Sequence, residues 1–277
     1  MNKYYDFVPF LESKAYNKRG NLEGKINLKL ETLTPVHVSS GKYNVDDDKV
    51  VYKVNMRNNG NVVIPATSIK GCIRNIAEAV SYSCTQGFDK KINKDKISVN
   101  KKDYNNCIIC NMFGAMGAKS KVRFSDFKME SGKTQILSLP KSFDPKPESK
   151  FYYDENGKYK GYKFYKHGIN GIQIQGSIPY EYISSGSQFT GDVMYENLTE
   201  EQLELLCFSL GLSGDISPKI GYGKTFLYGS VRFYSEDEKW KDIAETYKNN
   251  KDKKISENIT KLIKILNFDN AVKAVED

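Results

Sequence analysis

Ile64-Pro-Ala-Thr-Ser-Ile-Lys-Gly-Cys-Ile-Arg74 is where an extended strand becomes a helix. Pro65 fixes an extended-to-helical corner, and Thr67 or Ser68 is a candidate N-cap. From Ser68 to about Ser83, the apolar residues Ile69, Ile73, Ile76 and Val80 recur at helical spacing, so one face is predicted to be buried. Upstream, Val50–Val54 and Val62–Ile64 are predicted to form a hairpin closed by Arg57-Asn-Asn-Gly60.

Working outward, Ile26, Leu28 and Leu30 alternate as in a half-buried strand that runs on into Leu33–Val38. Ile172, Ile174 and Ile178 form another alternating set, and Thr225–Phe233 a last one. A second helix is predicted over Leu198–Leu212, where Thr199 and Gln202 have capping-box spacing and Leu203, Leu206, Cys207 and Leu210 form a stripe. The order is strand, hairpin, helix, strands, helix, strand. It predicts an α+β protein with a ferredoxin-like (RRM-like) βαββαβ core. Residues 85–106 and 140–168 are expected to be long loop insertions. The core domain is expected to fill residues 1–235, with a helical C-terminal tail over 236–277, where Ile259, Leu262, Ile263 and Leu266 within Ser256–Ala274 have helical spacing.

The chain carries 42 Lys+Arg against 34 Asp+Glu, a net +8. Residues 236–277 hold 9 Lys and 10 acids, which leaves 33 basic and 24 acidic side chains, net +9, on residues 1–235. A basic body suits a polyanionic partner. The 19 tyrosines offer stacking faces with wet hydroxyls, or strand-surface residues. No segment approaches the roughly 18–20 apolar residues of a membrane span. The N-terminus has no apolar signal core, and the five cysteines (Cys72, Cys84, Cys107, Cys110, Cys207) are an odd number, so a reducing, cytoplasmic setting is expected.

Two stretches carry candidate chemistry. In the opening stretch, Lys70 and Arg74 are four apart, on a face opposite Ile69 and Ile73. A helix start with two cations suits either a phosphate clamp or a solvated basic face. Pro218-Lys-Ile-Gly-Tyr-Gly-Lys-Thr-Phe-Leu-Tyr-Gly229 joins three glycines, two tyrosines and two lysines in one turn. Glycine admits close backbone approach, lysine neutralises phosphate and tyrosine stacks on bases, so the turn reads as a groove for single-stranded nucleic acid or as a glycine-rich hairpin.

Thr34-Pro-Val-His-Val-Ser-Ser-Gly41, the 64–74 stretch, Cys107-Ile-Ile-Cys-Asn-Met-Phe-Gly114 and the 218–229 turn, in that order, resemble the RAMP superfamily. Its members of this kind are RNA-binding subunits of type III CRISPR interference complexes. The resemblance spans roughly residues 26–233. It implies a core that grips the guide-RNA backbone, with His37, Ser39, Ser40, Lys70 and Arg74 lining the path and Lys219, Tyr222 and Lys224 at the phosphates. Gly161-Tyr-Lys-Phe-Tyr-Lys-His-Gly168 resembles a basic-aromatic element of some backbone-type members, which adds Lys163 and Lys166. The implied partners are guide RNA, target RNA and other RAMP subunits, with no membrane.

In backbone-type relatives, an aspartate after the first strand is implicated in Mg²⁺-dependent cleavage of target RNA. Asp46-Asp47-Asp48 lies near that position, with Asp48 favoured, although three aspartates also make an ordinary solvated turn. Some relatives hold Zn²⁺ with three Cys and one His. Cys84, Cys107 and Cys110 would be this chain's ligands, and the fourth is not identified. The alternatives to a backbone subunit are a non-catalytic filament-capping subunit, a guide-processing endoribonuclease using a histidine base, and an RNA-binding module outside CRISPR.

Overall fold

The computed structural model describes residues 4–84, 106–141, 150–157, 159–169 and 176–271. The chain begins with β1 (Tyr5–Val8), β2 (Leu22–Thr32), β3 (Ser39–Val45), β4 (Val51–Asn55), β5 (Arg57–Asn58) and β6 (Asn61–Ile64), which leads into α1 (Ala66–Ala79). The short α2 (Ile108–Phe113) precedes β7 (Val122–Phe124), β8 (Phe127–Ser131) and β9 (Thr134–Leu139). Then come β10 (Tyr162–Tyr165), β11 (Ile178–Ile183), β12 (Gln188–Leu198), α3 (Glu200–Ser209), β13 (Val231–Tyr234), α4 (Lys239–Lys248) and α5 (Lys253–Leu266).

The main sheet runs β13-β2-β12-β8-β6-β5, with β7 also paired to β12, and its neighbours are antiparallel. Numbered along β2-α1-β7/β8-β12-α3-β13, the central strands have the order four-one-three-two. That order is consistent with a βαββαβ core. In β2, Ile26, Leu28, Leu30 and Thr32 are buried while Lys25 and Asn27 are exposed, the period-2 pattern of a strand with one packed face. Against that face lie Ile69, Ile73 and Ile76 of α1 and Leu205, Leu206 and Phe208 of α3. Each such side chain contributes about 1.5–3 kcal/mol by leaving water. The Thr199–Gln202 capping box forms as its spacing predicts.

The C-terminal helices complete this core. Trp240 and Tyr247 of α4 and Ile255, Ile259, Leu262 and Leu266 of α5 belong to the same buried cluster, and the Tyr247 hydroxyl donates to the Val80 carbonyl at 2.9 Å. A second sheet, β3-β4-β11-β9, has its own small core of Leu139, Tyr180, Tyr182 and Tyr228. A third pairs β1 with β10. Among the described residues no helix is long and apolar enough to cross a membrane.

Several expected elements differ. β4 and β6 do not form a hairpin: β4 pairs with β3 and β11, and the 57–60 turn joins β5 to β6 instead. The reason is β3, whose polar Ser39–Val45 sequence hides a strand that takes one edge of β4. α1 begins at Ala66 with Pro65 at its N-cap, and the Asp126 carboxylate accepts from the Ala66 N–H at 2.9 Å, so neither Thr67 nor Ser68 caps it. The last strand starts only at Val231, because residues 224–226 form a 3-10 turn. The expected insertion 140–168 contains β10, which pairs with the N-terminal β1. The tail helix covers Lys253–Leu266, with the Asp252 carboxylate capping Lys254 and Ile255, and α4 precedes it without having been expected. Residues 85–105 of the other insertion, and Ile172 and Ile174, lie outside the described residues.

Candidate nucleic-acid interface

The 218–229 turn folds back on itself: the Ile220 N–H donates to the Gly229 carbonyl at 2.7 Å, and the Val231 N–H to that of Pro218 at 2.9 Å. Segment 34–41 lies alongside it. The Tyr222 N–H donates to the His37 carbonyl, and the Gly229 N–H to that of Pro35, both at 2.9 Å. At Gly221 φ is +80° and a Cβ would stand 2.1 Å from the His37 oxygen. The close approach that demands glycine here is therefore to the chain's own backbone.

Between this turn and α1 lies a cavity of about 290 Å³, lined among others by Ser68, Cys72, Lys163, Lys219 and Lys224. Lys219 is 7% exposed, and its Nζ donates to the Lys166 carbonyl at 2.7 Å. The Lys224 Nζ donates to the Gly221 carbonyl at 2.6 Å, and the Cys72 thiol to the Lys219 carbonyl at 3.3 Å. The Lys163 Nζ stands 4.0 Å from the Tyr5 ring centre and 4.7 Å from that of Tyr165, and it donates to the Tyr152 hydroxyl at 3.2 Å. None of these three lysines forms an ion pair among the described residues. Burial, helped by the neighbouring Lys224 charge, lowers the Lys219 pKa to about 7, and burial lowers that of Lys224 as well. Burial also works against Lys163, but the Tyr152 and Tyr165 hydroxyls outweigh it and raise its pKa.

The cavity thus joins three of the stretches singled out in the sequence, 64–74, 161–168 and 218–229, and the His37–Tyr222 pairing adds a fourth. The α1 face that lines it is Ser68, Gly71, Cys72 and Asn75. Sequence reading missed these residues, although their spacing of three, four and seven is that of one helical face.

Lys70 and Arg74 are on a different face. Lys70 donates to the Ser120 hydroxyl at 2.8 Å, and burial followed by the Arg74 charge lowers its pKa. Arg74 pairs with the buried Glu78 at 2.9 Å and donates to the Gly114 carbonyl at 3.0 Å. His37 is 0% exposed, its Nδ1 lies 2.7 Å from the Glu181 carbonyl, and burial lowers its pKa. The Ser39 and Ser40 hydroxyls accept from the N–H groups of Gly41 and Lys42. Tyr222 stacks on Tyr180 at 4.7 Å, and the half-buried Lys166 donates its N–H to the Tyr4 carbonyl at 2.9 Å. Asp46, Asp47 and Asp48 form the turn between β3 and β4, where the Asp46 carboxylate accepts from the Val50 N–H at 2.8 Å while Asp47 and Asp48 are exposed. They do not line the cavity.

Behind α1, the Sγ atoms of Cys84, Cys107 and Cys110 lie 3.3, 3.5 and 3.6 Å apart in pairs, all buried. Three thiolates around a tetrahedral Zn²⁺ stand about 3.8 Å apart, so the cluster fits that ion with a small expansion. Hydrogen bonds from Cys110 and Cys84 push the Cys107 thiol far down, while Cys110 is pushed up. Among the described residues no fourth His, Cys, Asp or Glu donor joins the three.

No curated protein matches the chain. A family profile does match, over residues 29–271, and its span takes in the segment 34–41, the α1 face, the cysteine cluster and the glycine-rich turn that the fold has brought together. On that match, over most of its length, the chain belongs to the RAMP superfamily.

Proposed function

We propose that the chain is a guide-RNA-binding subunit of a type III CRISPR interference complex, of the backbone type, built on a ferredoxin-like core. Membership of the superfamily ties it to RNA-binding, CRISPR-associated assemblies with other subunits. The observation that carries the reading is the convergence of Lys163, Lys219 and Lys224 on one cavity beside tyrosine rings. Cations with no carboxylate partner, set next to aromatic faces, suit the backbone and unpaired bases of single-stranded RNA. Guide sequences vary, so a grip on phosphates rather than base edges is the chemistry required.

The test is binding of short single-stranded RNAs of unrelated sequence to the full chain. Lys163→Gln with Lys224→Gln should weaken every RNA to the same extent and flatten the salt dependence. Sequence-selective loss, or none, would refute the backbone grip. Co-purification of the chain with its partner subunits should yield a complex carrying RNAs of uniform length; a monomer without RNA would count against the reading.

Target cleavage is assigned to the exposed Asp46–Asp48 turn, where Asp47 and Asp48 are free to bind Mg²⁺ through oxygen. Replacing all three with Ala should abolish Mg²⁺-dependent cutting in the assembled complex while leaving RNA binding intact. Unchanged cutting with intact binding would eliminate the catalytic role of this turn and favour the capping alternative. The guide-processing alternative is not favoured, because His37 and His167 are both buried and hydrogen-bonded. Zn²⁺ held by Cys84, Cys107 and Cys110 would brace α1 from behind.

A further inference from the structure

Lys219 is enclosed, and its burial together with the Lys224 charge raises the cost of its own charge. From its own turn it faces Lys224; from α1, the neutral thiol of Cys72, whose pKa burial raises to about 11; from β10 and the residues after it, Lys163 and His167. Among the described residues no carboxylate lines the cavity. One ammonium hydrogen is committed to the Lys166 carbonyl, which a neutral amine can also satisfy. The geometry points to a proton-linked phosphate site: one phosphodiester of single-stranded RNA occupies this cavity, and Lys219 takes up a proton as it enters. The inference rests on the RNA-binding reading above and adds to it a defined subsite and a change in protonation.

A lysine whose pKa has fallen to about 7 is about half neutral at pH 7. A phosphodiester is a permanent anion. Placed beside the Nζ in a low-dielectric cavity, it favours the charged form and reverses the effect of burial. By linkage, whatever the anion does to the proton, the proton does to the anion. Lys163 differs, since its tyrosine contacts keep it charged, and Lys224 is half-buried rather than enclosed. The proton change is therefore assigned to Lys219.

The experiment uses the full chain and a hexauridylate without terminal phosphates, which itself does not titrate between pH 6 and 8. Affinity should fall about tenfold from pH 6 to pH 8. Calorimetry in two buffers of different ionisation enthalpy should read uptake of about half a proton per site at pH 7. Lys219→Arg stays charged throughout and should bind with a flat pH profile. RNA binding with no proton uptake and no pH dependence overturns the subsite while leaving the RNA-binding reading standing. Absence of binding at every pH, in protein shown to be folded, removes both. If Lys219→Arg fails to fold, the proton count on the unaltered chain decides alone.

Discussion

The Tyr222 N–H donates to the His37 carbonyl at 2.9 Å, and this bond, together with that from the Gly229 N–H to the Pro35 carbonyl, clamps the glycine-rich turn to the segment that enters the second sheet. The contact leaves no room beside it: a Cβ on Gly221 would stand 2.1 Å from the same oxygen, at a φ of +80° that L-residues rarely adopt. Gly221→Ala should therefore cost about 2–4 kcal/mol, the left-handed conformation accounting for about 1–2 of it and the clash for the rest. Urea denaturation measures it. Gly214→Ala, also at positive φ but with open space at its Cβ, should show the conformational part alone. Equal losses at the two positions would mean that the clamp relaxes freely.

His167 should make the fold acid-sensitive well above the carboxylate range. Its Nε2 faces the Leu266 carbonyl at 3.0 Å and donates to it, which in the neutral ring leaves Nδ1, 2.8 Å from the Ser230 hydroxyl, to accept. Burial first, and the Lys219 charge second, lower its pKa from 6.5 to about 3. The unfolded chain therefore binds a proton that the folded chain refuses between those values. Stability is full above pH 6.5 and is lost progressively as the pH falls toward 3. Between pH 7 and 5 the loss should be about 2 kcal/mol. His167→Gln, which keeps a donor toward Leu266, should remove that slope even if it lowers the plateau.

What the sequence disclosed and what it hid divide along physical lines. The α3 capping box and the Ile69/Ile73/Ile76 stripe were readable because local spacing alone creates them. β3 was not, because Ser39–Val45 is exposed on both faces and carries no alternation; its partner strand makes it a strand. β10 was hidden for a related reason, since it pairs with residues more than 150 positions away. The site shows the same division. The lysines of the turn were legible by residue type, but which of them lies buried, and that Ser68, Gly71, Cys72 and Asn75 rather than Lys70 and Arg74 face them, depends on how α1 rotates onto the sheet. That rotation is set by the core, not by the motif.

Arg57 and Glu181 should hold the second sheet to β5, the edge strand of the main sheet. Glu181 is buried, accepts from both terminal nitrogens of Arg57 and from the Asn55 N–H, and offers its carbonyl to His37 and Asn55. Burial opposes its ionisation, but the Arg57 and Asn55 contacts, with Thr134, outweigh it and hold its pKa below 4.5. The stability it contributes is present above pH 4.5 and is lost as the pH falls through the lowered folded value. Breaking a buried pair costs about 3–5 kcal/mol, and the partly exposed arginine reduces this to about 2 for Glu181→Gln. Thermal melts at pH 7 and pH 3.5 should show a gap between the two proteins that narrows in acid.

The cysteine cluster should be a metal centre whose loss is felt at α1 before it is felt anywhere else. Arg74 lies between the thiols and Glu78: burial opposes its charge, but Glu78 and the nearby Cys110 and Cys107 outweigh that and raise its pKa, and its Nη1 bonds to the Gly114 carbonyl just beyond α2. Purified protein should carry close to one Zn²⁺ per chain by elemental analysis, and Co²⁺ in its place should show thiolate charge-transfer absorption. Cys107→Ser should lower metal affinity more than about a hundredfold, since a ligand counts for more than its supporting groups. Without metal nothing ties the three thiols together, and hydrogen exchange should quicken at the backbone of residues 107–114 and along the second half of α1, while β2 and β12 in the sheet centre keep their protection. Stoichiometric Zn²⁺ retained by Cys107→Ser would locate the metal elsewhere.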